Sequence, residues 1–298
     1  MTTALSDDAA ALGLTRRVVR TGAGPVVVHA GTGDGPGVVL LHGAAGSWTT
    51  WTPLLRHAAE AGDPLPGVVA LDLPGWGGSP SPGAPLTAAS AAHAVAEVAR
   101  ACGHERWRVV GHSLGGFLAL RLAALEPERT TGVVLVSPTG PAVGDAVRHP
   151  VRGGARLPWF AGMLVAMRAL AALPGQGRGV LTALDRLGVL PRLAAPLFHD
   201  PGTIHPSVTA ALASEIRPLA FVAAARASTL VDLGAFQAVR CRVRAVRGAR
   251  DVFAGSRDAA ALRRLLPDFA EEVLPDAGHF AAVERPDAVL AALAAVAG

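Results

Sequence analysis

Ser113 stands in the local pattern that best suits a nucleophile. An apolar run, Trp107 to Val110, leads into Gly111-His112-Ser113-Leu114-Gly115-Gly116, and a leucine-rich helical pattern begins directly after it. The glycines permit a strained strand-to-helix turn, because side chains at positions 111 and 115 would collide with the adjoining strand and helix. This context predicts a G-x-S-x-G nucleophile elbow, with the hydroxyl near the positive end of the helix dipole. An ordinary Gly-rich turn is the alternative, so the motif needs partners.

Two candidate partners for the serine lie far along the chain. A serine hydroxyl is a weak nucleophile at neutral pH, and it needs a base that is itself oriented by an acid. In open α/β sheets such groups lie beyond the carboxyl ends of the strands. The run ending at Val246 is followed by Asp251, and the run ending at Leu274 is followed by His279. Ser113, Asp251 and His279 therefore each follow a predicted strand, in the chain order Ser, Asp, His.

Short strand patterns alternate with helical patterns along most of the chain. Two β-branched runs, 16–19 and 26–30, are joined by a Gly-rich turn and predict an antiparallel hairpin. Six further strands are predicted, most of them continuously apolar as in a parallel sheet buried on both faces; they span 38–41, 68–71, 107–110, 132–136, 243–246 and 272–274. The alternation predicts an α/β fold with one mostly parallel, eight-stranded sheet and helices on both of its faces.

The alternation stops between residues 138 and 233. This stretch consists of Ala/Leu-rich helical pieces separated by Pro and Gly. We interpret it as a helical cap, or lid, inserted into a core domain formed by residues 1–137 and 234–298. Residues 1–13 predict a loose tail. A Ser/Pro-rich loop precedes Thr87, which is a predicted helix N-cap.

The composition is that of a packed globular protein, with 51% hydrophobic and 17% charged residues. The net charge of +4 invites a nucleic-acid interpretation. However, all 27 basic residues are Arg, and they are scattered without the basic clusters and interleaved aromatic residues of a nucleic-acid surface. We therefore expect no nucleic-acid partner.

Cysteine content and apolar runs give further expectations. Cys102 and Cys241 lack metal-ligand spacing and are expected to be inert thiols. The N-terminus lacks the pattern of a secretory signal, which favours a cytoplasmic protein. The most apolar long run, Leu157 to Leu173, contains Pro158 and Arg168 and is short for a membrane span, so we expect no stable membrane insertion. Association of this run with a membrane surface is the alternative.

Five motifs occur in order along nearly the whole chain: His42-Gly43, Asp72-Leu73-Pro74-Gly75-Trp76-Gly77, Gly111-His112-Ser113-Leu114-Gly115-Gly116, Gly248-Ala249-Arg250-Asp251 and Gly278-His279-Phe280. In these motifs the chain resembles the α/β-hydrolase superfamily, in the branch with a helical cap. The resemblance implies the α/β-hydrolase fold. Five motifs with suitable spacing are far more specific than any one of them.

The resemblance also implies a role for individual positions. Ser113 would be the nucleophile, His279 the general base and then the general acid, and Asp251 the orienting carboxylate. The backbone N–H groups of Ala44 and Leu114 would form the oxyanion hole. No cofactor and no metal ion is implied.

The orienting acid has alternatives. Asp251 could instead cap the following helix or pair with Arg250, and Asp276 is the rival carboxylate. Some relatives place the acid after the preceding strand, but this chain has Ser137-Pro138-Thr139 there, with no carboxylate.

Seven side chains are candidates for a substrate pocket, with core packing as the alternative for each: His42, Trp48, Trp76, His112, Phe160, Met163 and Phe280. His42 is more suited to shaping the oxyanion loop than to proton transfer. Neighbouring side chains at a tight turn point apart, which favours packing for His112. Asp72 is expected to anchor its own loop through hydrogen bonds.

The type of nucleophile limits the reactions that the chain could catalyse. A serine at position 113 excludes the relatives with an aspartate nucleophile, the haloalkane dehalogenases and epoxide hydrolases. Hydrolysis of a carboxylic ester or a related acyl substrate, hydrophobic and of small to medium size, requires nothing further and is the prediction. C–C bond hydrolysis of ring-cleavage products, acyl transfer and cofactor-free perhydrolysis are alternatives on the same residues; Phe280, where C–C hydrolases often carry Trp, disfavours the first. A non-catalytic ligand-binding member is the alternative of another class. The oligomeric state is left open.

Overall fold

A computed structural model describes residues 1–83, 86–230 and 232–297. The predicted Ser/Pro-rich loop includes Ala84 and Pro85, the predicted cap includes Val231, and the predicted core domain ends at Gly298. These four positions lie outside the described residues.

The described residues contain eight strands, all in one sheet: β1 (Thr15–Thr21), β2 (Gly24–Ala30), β3 (Gly37–Leu41), β4 (Val68–Leu71), β5 (Trp107–His112), β6 (Thr130–Val136), β7 (Arg242–Gly248) and β8 (Phe269–Leu274). Their spatial order is β1-β2-β4-β3-β5-β6-β7-β8. β2 is antiparallel to both of its neighbours, and every pair from β4 to β8 is parallel. The predicted hairpin and the predicted α/β-hydrolase fold are both confirmed.

Helices connect most of the strands. Within the described residues they are α1 (Thr52–Glu60), α2 (Ala88–Ala101), α3 (Leu114–Leu125), α4 (Pro141–Arg148), α5 (Pro150–Arg156), α6 (Pro158–Ala172), α7 (Arg178–Arg186), α8 (Val189–Ala194), α9 (Pro206–Ser214), α10 (Pro218–Ser228), α11 (Ser256–Leu265), α12 (Ala281–Glu284) and α13 (Pro286–Ala295). Helices α4 to α10 all lie between β6 and β7. We call residues 138–230 the helical insertion; its status as a separate domain stays a prediction.

The central strands are buried on both faces, which explains their continuous apolar runs. In β3, Val39 and Leu41 pack in the core that includes residues of α2 and α3. Val38 and Leu40 point the other way, into the core that includes residues of α1 and α13. All four side chains are fully buried. Because successive residues of a strand alternate between faces, a strand between two helical layers needs apolar residues at every position.

The N-terminal segment differs from the prediction of a loose tail over residues 1–13. The Leu5 N–H donates a hydrogen bond to Ser207 Oγ at 2.9 Å, in the helical insertion. The Ser6 N–H donates to Thr52 Oγ1 at 3.1 Å, in α1 of the core. The segment thus bridges two parts of the chain that are distant in sequence. The prediction was wrong because the segment is held by long-range contacts rather than by a periodic pattern of its own.

None of the described helices is long and apolar enough by itself to cross a membrane; only the bent pair α9–α10, with 82° between its members, has the combined length and composition of a span.

Thr87 caps α2, as predicted. Its side chain accepts a hydrogen bond from the Ser90 N–H, and Ser90 Oγ accepts one from the Thr87 N–H, both at 3.0 Å. We expect Thr87→Ala to lower the free energy of unfolding by about 1 kcal/mol, because the Ser90 N–H loses its side-chain acceptor. Thr87→Ser keeps the hydroxyl and should stay close to wild type. Urea denaturation of the three proteins is the measurement; equal loss in both variants would contradict the capping role.

Candidate active site

Ser113 occupies a strained turn between β5 and α3. Its backbone angles are φ 51° and ψ −114°, so φ lies in the region that side-chain-bearing residues rarely adopt. The Ser113 N–H donates a hydrogen bond to the carbonyl oxygen of Val136, the last residue of β6, at 3.0 Å. The turn therefore presents the serine at the carboxyl edge of the parallel strands.

Two glycines make this turn sterically feasible. A Cβ atom at Gly111 would lie 2.3 Å from the carbonyl oxygen of Gly115, in the first turn of α3. A Cβ atom at Gly115 would lie 2.1 Å from the carbonyl oxygen of Leu41, at the end of β3. Both contacts are far shorter than van der Waals separation and involve backbone atoms. The predicted collisions with strand and helix are therefore present in the structure.

His279 and Asp251 are brought into contact by the loops after β8 and β7. His279 Nδ1 donates a hydrogen bond to Asp251 Oδ1 at 2.9 Å, and the side chain of Asp251 has no solvent exposure. Asp251 Oδ1 also accepts bonds from the backbone N–H groups of Phe253 (2.8 Å) and Ala254 (3.0 Å). Asp251 thus orients the imidazole and does not cap α11.

The Asp251 carboxyl stays ionised in spite of its burial. Burial raises its pKa, but His279 and the two backbone N–H groups outweigh burial and hold the pKa below its ordinary value. The rival carboxylate, Asp276, is exposed and pairs with Arg285 Nη1 at 2.7 Å. Asp276 is therefore paired with Arg285 at the surface, whereas His279 is bonded to Asp251.

Ser113 and His279 line the same cavity, and no hydrogen bond between described residues joins the serine hydroxyl to the imidazole. Ser113 Oγ lies 3.3 Å from Thr139 Oγ1, and both Ser113 and His279 line the cavity. His279 Nδ1 is engaged by Asp251, so Nε2 is the ring nitrogen left for the cavity; it has no hydrogen bond to a described residue. Catalytic hydrogen bonds are often long or unformed without substrate.

The contact between Thr139 and Ser113 was not predicted. The Thr139 N–H also donates to the Ser113 carbonyl oxygen at 3.0 Å. Thr139 follows β6, the neighbour of the strand that carries the serine. The only feature of the sequence that pointed to Thr139 as a site residue was its position just after β6.

Two backbone N–H groups belong to residues that line the cavity together with the serine. Ala44 and Leu114 both line it, and neither N–H group has a hydrogen-bond acceptor among the described residues. The next residue, Ala45, has φ 57° and turns the loop after β3. Donors without an internal acceptor can stabilise an oxyanion.

His42 does not line the cavity, contrary to its place among the pocket candidates. It is fully buried behind the loop after β3. Its Nε2 accepts a hydrogen bond from the Leu73 N–H at 2.9 Å, and its Nδ1 donates to the Gly43 carbonyl oxygen at 2.7 Å. Burial lowers the pKa of His42, which keeps the ring neutral. These bonds tie the loop carrying Ala44 to the loop after β4.

His112 and Trp48 do not line the cavity either, so the structure corrects their place among the pocket candidates in favour of packing. His112 Nε2 donates to the backbone carbonyl oxygen of His279 at 2.9 Å. Burial and the neighbouring His279 lower the pKa of His112 to about 3, so its ring is neutral at physiological pH. Trp48 stacks on His29 with ring centroids 4.0 Å apart. The backbone N–H of Trp48 donates to Asp72 Oδ1 at 2.8 Å. Asp72 also anchors its own loop, as predicted, because its Oδ2 accepts a hydrogen bond from the Gly78 N–H at 2.8 Å.

The cavity has a volume of about 500 Å³ and a mainly apolar wall. The other four pocket candidates line it: Trp76, Phe160, Met163 and Phe280. Core and helical insertion both contribute, because Trp76 and Phe280 come from the core while Phe160 and Met163 lie on α6. Leu219 and the small residues Ala220, Ala223 and Ala224 of α10 also line the cavity. Such a space suits a small or medium-sized apolar ligand.

In the described part of the chain, no group of three or more His, Cys, Asp or Glu side chains is placed so that it could hold a metal ion.

Comparison with known proteins matches most of the chain to a family model. A model of the alpha/beta hydrolase family matches residues 38–292. A 122-residue part of the chain, 41% of its length, is 43% identical to the dihydrolipoyllysine-residue acetyltransferase component of the acetoin cleaving system of Cupriavidus necator. A 117-residue part, 37% of its length, is 39% identical to a putative carbamate hydrolase, RutD, of Variovorax paradoxus.

These two relatives are matched over only 31% and 40% of their own lengths. Among solved structures, a putative acyltransferase from Salmonella enterica is similar with a TM-score of 0.74 at 23% identity. That similarity covers 95% of this chain and 94% of the other. At this identity it shows a shared fold.

Gly115→Ala tests the packing of the elbow. We expect a loss of about 3 kcal/mol or more in the free energy of unfolding, since the new methyl group has no room beside the Leu41 carbonyl. Gly162→Ala is the matched control: Gly162 lies inside α6 with open space around it, and the change should stabilise by about 0.5–1 kcal/mol. Urea denaturation measures both. Wild-type stability of Gly115→Ala would refute the steric argument.

Asp251→Asn tests the ionisation of the buried acid. The folded pKa of Asp251 lies below the unfolded value of about 3.9. The carboxylate therefore stabilises the folded state above about pH 4, and this contribution disappears as pH falls through the folded pKa. We expect the stability difference between wild type and Asp251→Asn to be large near neutral pH and to shrink below about pH 4. Urea denaturation over a pH series checks this, and a difference independent of pH would contradict it.

Proposed function

The chain belongs to the alpha/beta hydrolase family, and on that premise we propose that it is a serine hydrolase of carboxylic esters that works through an acyl-enzyme intermediate. The observation that carries the proposal is the buried 2.9 Å bond between His279 Nδ1 and Asp251 Oδ1, beside a cavity that Ser113 also lines. The bond leaves His279 Nε2 as the nitrogen that can exchange a proton with the serine.

The proposed reaction begins with attack of Ser113 Oγ on the ester carbonyl carbon. Its proton passes to His279 Nε2, and the resulting imidazolium is stabilised by the ionised Asp251. His279 then protonates the leaving alcohol, which gives the acyl-enzyme. A water molecule deprotonated by His279 attacks the acyl carbon, and the proton returns to Ser113 as the carboxylic acid leaves.

The free N–H groups of Ala44 and Leu114 are the proposed oxyanion hole. In each tetrahedral intermediate they would donate to the oxygen that carries the developing negative charge. Both groups come from loops fixed by other contacts: His42 holds the loop at Ala44, and the turn at Gly115 holds Leu114. Preorganised donors stabilise the transition state without a reorganisation cost.

The substrate class follows from the cavity. Its wall is apolar apart from a few groups such as Ser113, Thr139 and His279, and its volume is about 500 Å³. We propose a neutral, hydrophobic acyl group of small to medium size, bound by burial of its apolar surface.

Acyl transfer is the second candidate. The observation in its favour is the 43% identity to the part of the Cupriavidus necator protein matched, whose name describes an acetyltransferase component. In that reaction an alcohol or thiol replaces water in the second step. Activity with p-nitrophenyl acetate, measured with and without an added alcohol, separates the two: transfer yields a new ester, whereas hydrolysis yields only the acid.

Ser113→Ala should abolish turnover, because it removes the nucleophile. We expect kcat for p-nitrophenyl esters to fall by about 10⁴-fold or more, with the fold retained in circular dichroism. Wild type should be labelled stoichiometrically by a fluorophosphonate, and Ser113→Ala should not be labelled. Ser214→Ala removes an exposed serine of α9 and should be labelled like wild type.

Two results would overturn the proposal. Full ester turnover by Ser113→Ala would exclude the covalent mechanism. Failure of folded wild type to react with the fluorophosphonate or to hydrolyse any ester would favour a ligand-binding protein on the same fold.

A further inference from the structure

Glu284 is a partly buried carboxylate that the proposed reaction does not use. It is the last residue of α12, five residues after His279. Its Oε2 accepts a hydrogen bond from the Gly278 N–H, and its Oε1 accepts one from the His199 N–H, both at 2.7 Å. One carboxylate thus joins the residue before the proposed base to the helical insertion.

The main chain at His279 is bonded to the same part of the insertion directly. The His279 N–H donates to the carbonyl oxygen of Leu197 at 2.7 Å. Arg250, next to the proposed acid, donates from Nη1 to the carbonyl oxygen of His199 at 3.2 Å. The segment Leu197–His199 therefore contacts the loop of the base and the loop of the acid.

This contact leaves little freedom to the loop of the base. A Cβ atom at Gly278 would lie 2.5 Å from the Leu197 carbonyl oxygen, so loop and insertion approach as closely as backbones can. On the other side, His112 Nε2 donates to the His279 carbonyl oxygen at 2.9 Å. The N–H of Gly278 has Glu284 as its acceptor. The orientation of the imidazole depends on where these backbone groups are held.

We propose that Glu284 is a positioning residue: it fixes the backbone that carries His279 and couples it to the Leu197–His199 segment. The inference rests on the proposed function, because it assigns His279 as the base. A carboxylate that accepts two charge-assisted hydrogen bonds holds the donating backbone more strongly than a neutral acceptor would. A displacement of a catalytic group by about 1 Å can lower the rate about 10²-fold, so the effect should be visible in kcat.

Glu284→Gln is the sharpest variant. The amide keeps the shape and one acceptor oxygen, but its NH₂ group faces one of the two N–H donors, so one bond is lost. We expect kcat and the rate of fluorophosphonate labelling to fall by about 10-fold to 10²-fold, with KM changed less than threefold. Glu284→Ala loses both hydrogen bonds, so its kcat and its labelling rate should fall further.

Asp258→Asn is the matched control. Asp258 is a buried carboxylate of α11, and it also holds the helical insertion, by accepting a hydrogen bond from the Ala142 N–H at 2.9 Å. It makes no hydrogen bond to the residues around His279 within the described part of the chain. We expect Asp258→Asn to lower stability in urea about as much as Glu284→Gln does, while the labelling rate of the folded fraction stays within about threefold of wild type.

The outcomes are separable. If wild type is labelled and Glu284→Gln is labelled at the same rate, the positioning role is refuted while the serine mechanism stands. The same holds if both carboxylate variants lose rate equally, since the effect would then follow from general loosening of the insertion. If wild type itself is not labelled, the proposed function fails first. A kcat loss confined to the Glu284 variants supports the role.

Discussion

The carbonyl oxygen of Leu41 lies where a side chain at position 115 would be, and the candidate site depends on that close approach. Strand β3 and the first turn of α3 can pack this tightly only because position 115 is a glycine. The approach brings Leu114 and the loop residue Ala44 to the wall of the cavity that Ser113 also lines. Backbone strain at the serine persists because surrounding strands and helix over-determine it, which is the usual condition for strained residues at functional sites.

A second constraint is the burial of charge. Asp251 has no exposure to solvent, yet its carboxylate remains the favoured form because three donors converge on one oxygen. Without such partners, burial would raise the pKa of the carboxyl group, and the group would take up a proton and become neutral. These donors explain why the buried Asp251 carboxylate can stay bonded to the His279 imidazole. The Ser113 hydroxyl, in contrast, is paired with the Thr139 hydroxyl.

The helical insertion is tied to the core by polar groups at several points. Asp258 and Glu284 accept hydrogen bonds from its backbone, and the N-terminal segment bonds to Ser207. Between these points lies the apolar cavity, with walls from both parts. Burial raises the pKa of both carboxyl groups, since neither has a cationic partner strong enough to offset desolvation. The insertion is therefore held both by these directed hydrogen bonds and by apolar packing against the core.

Local sequence patterns by themselves determined the elements, their order and the fold, because apolar periodicity and glycine spacing act over a few residues. They also singled out Ser113, Asp251 and His279, since each follows a strand. Only the tertiary structure decided which side chains reach the cavity: His42, Trp48 and His112 turn away from it, whereas Thr139 adjoins the serine. Contacts such as Glu284 with His199, 85 residues apart, leave no local signal. Chain packing sets side-chain direction at turns and long-range hydrogen bonds, and no short stretch of sequence encodes either.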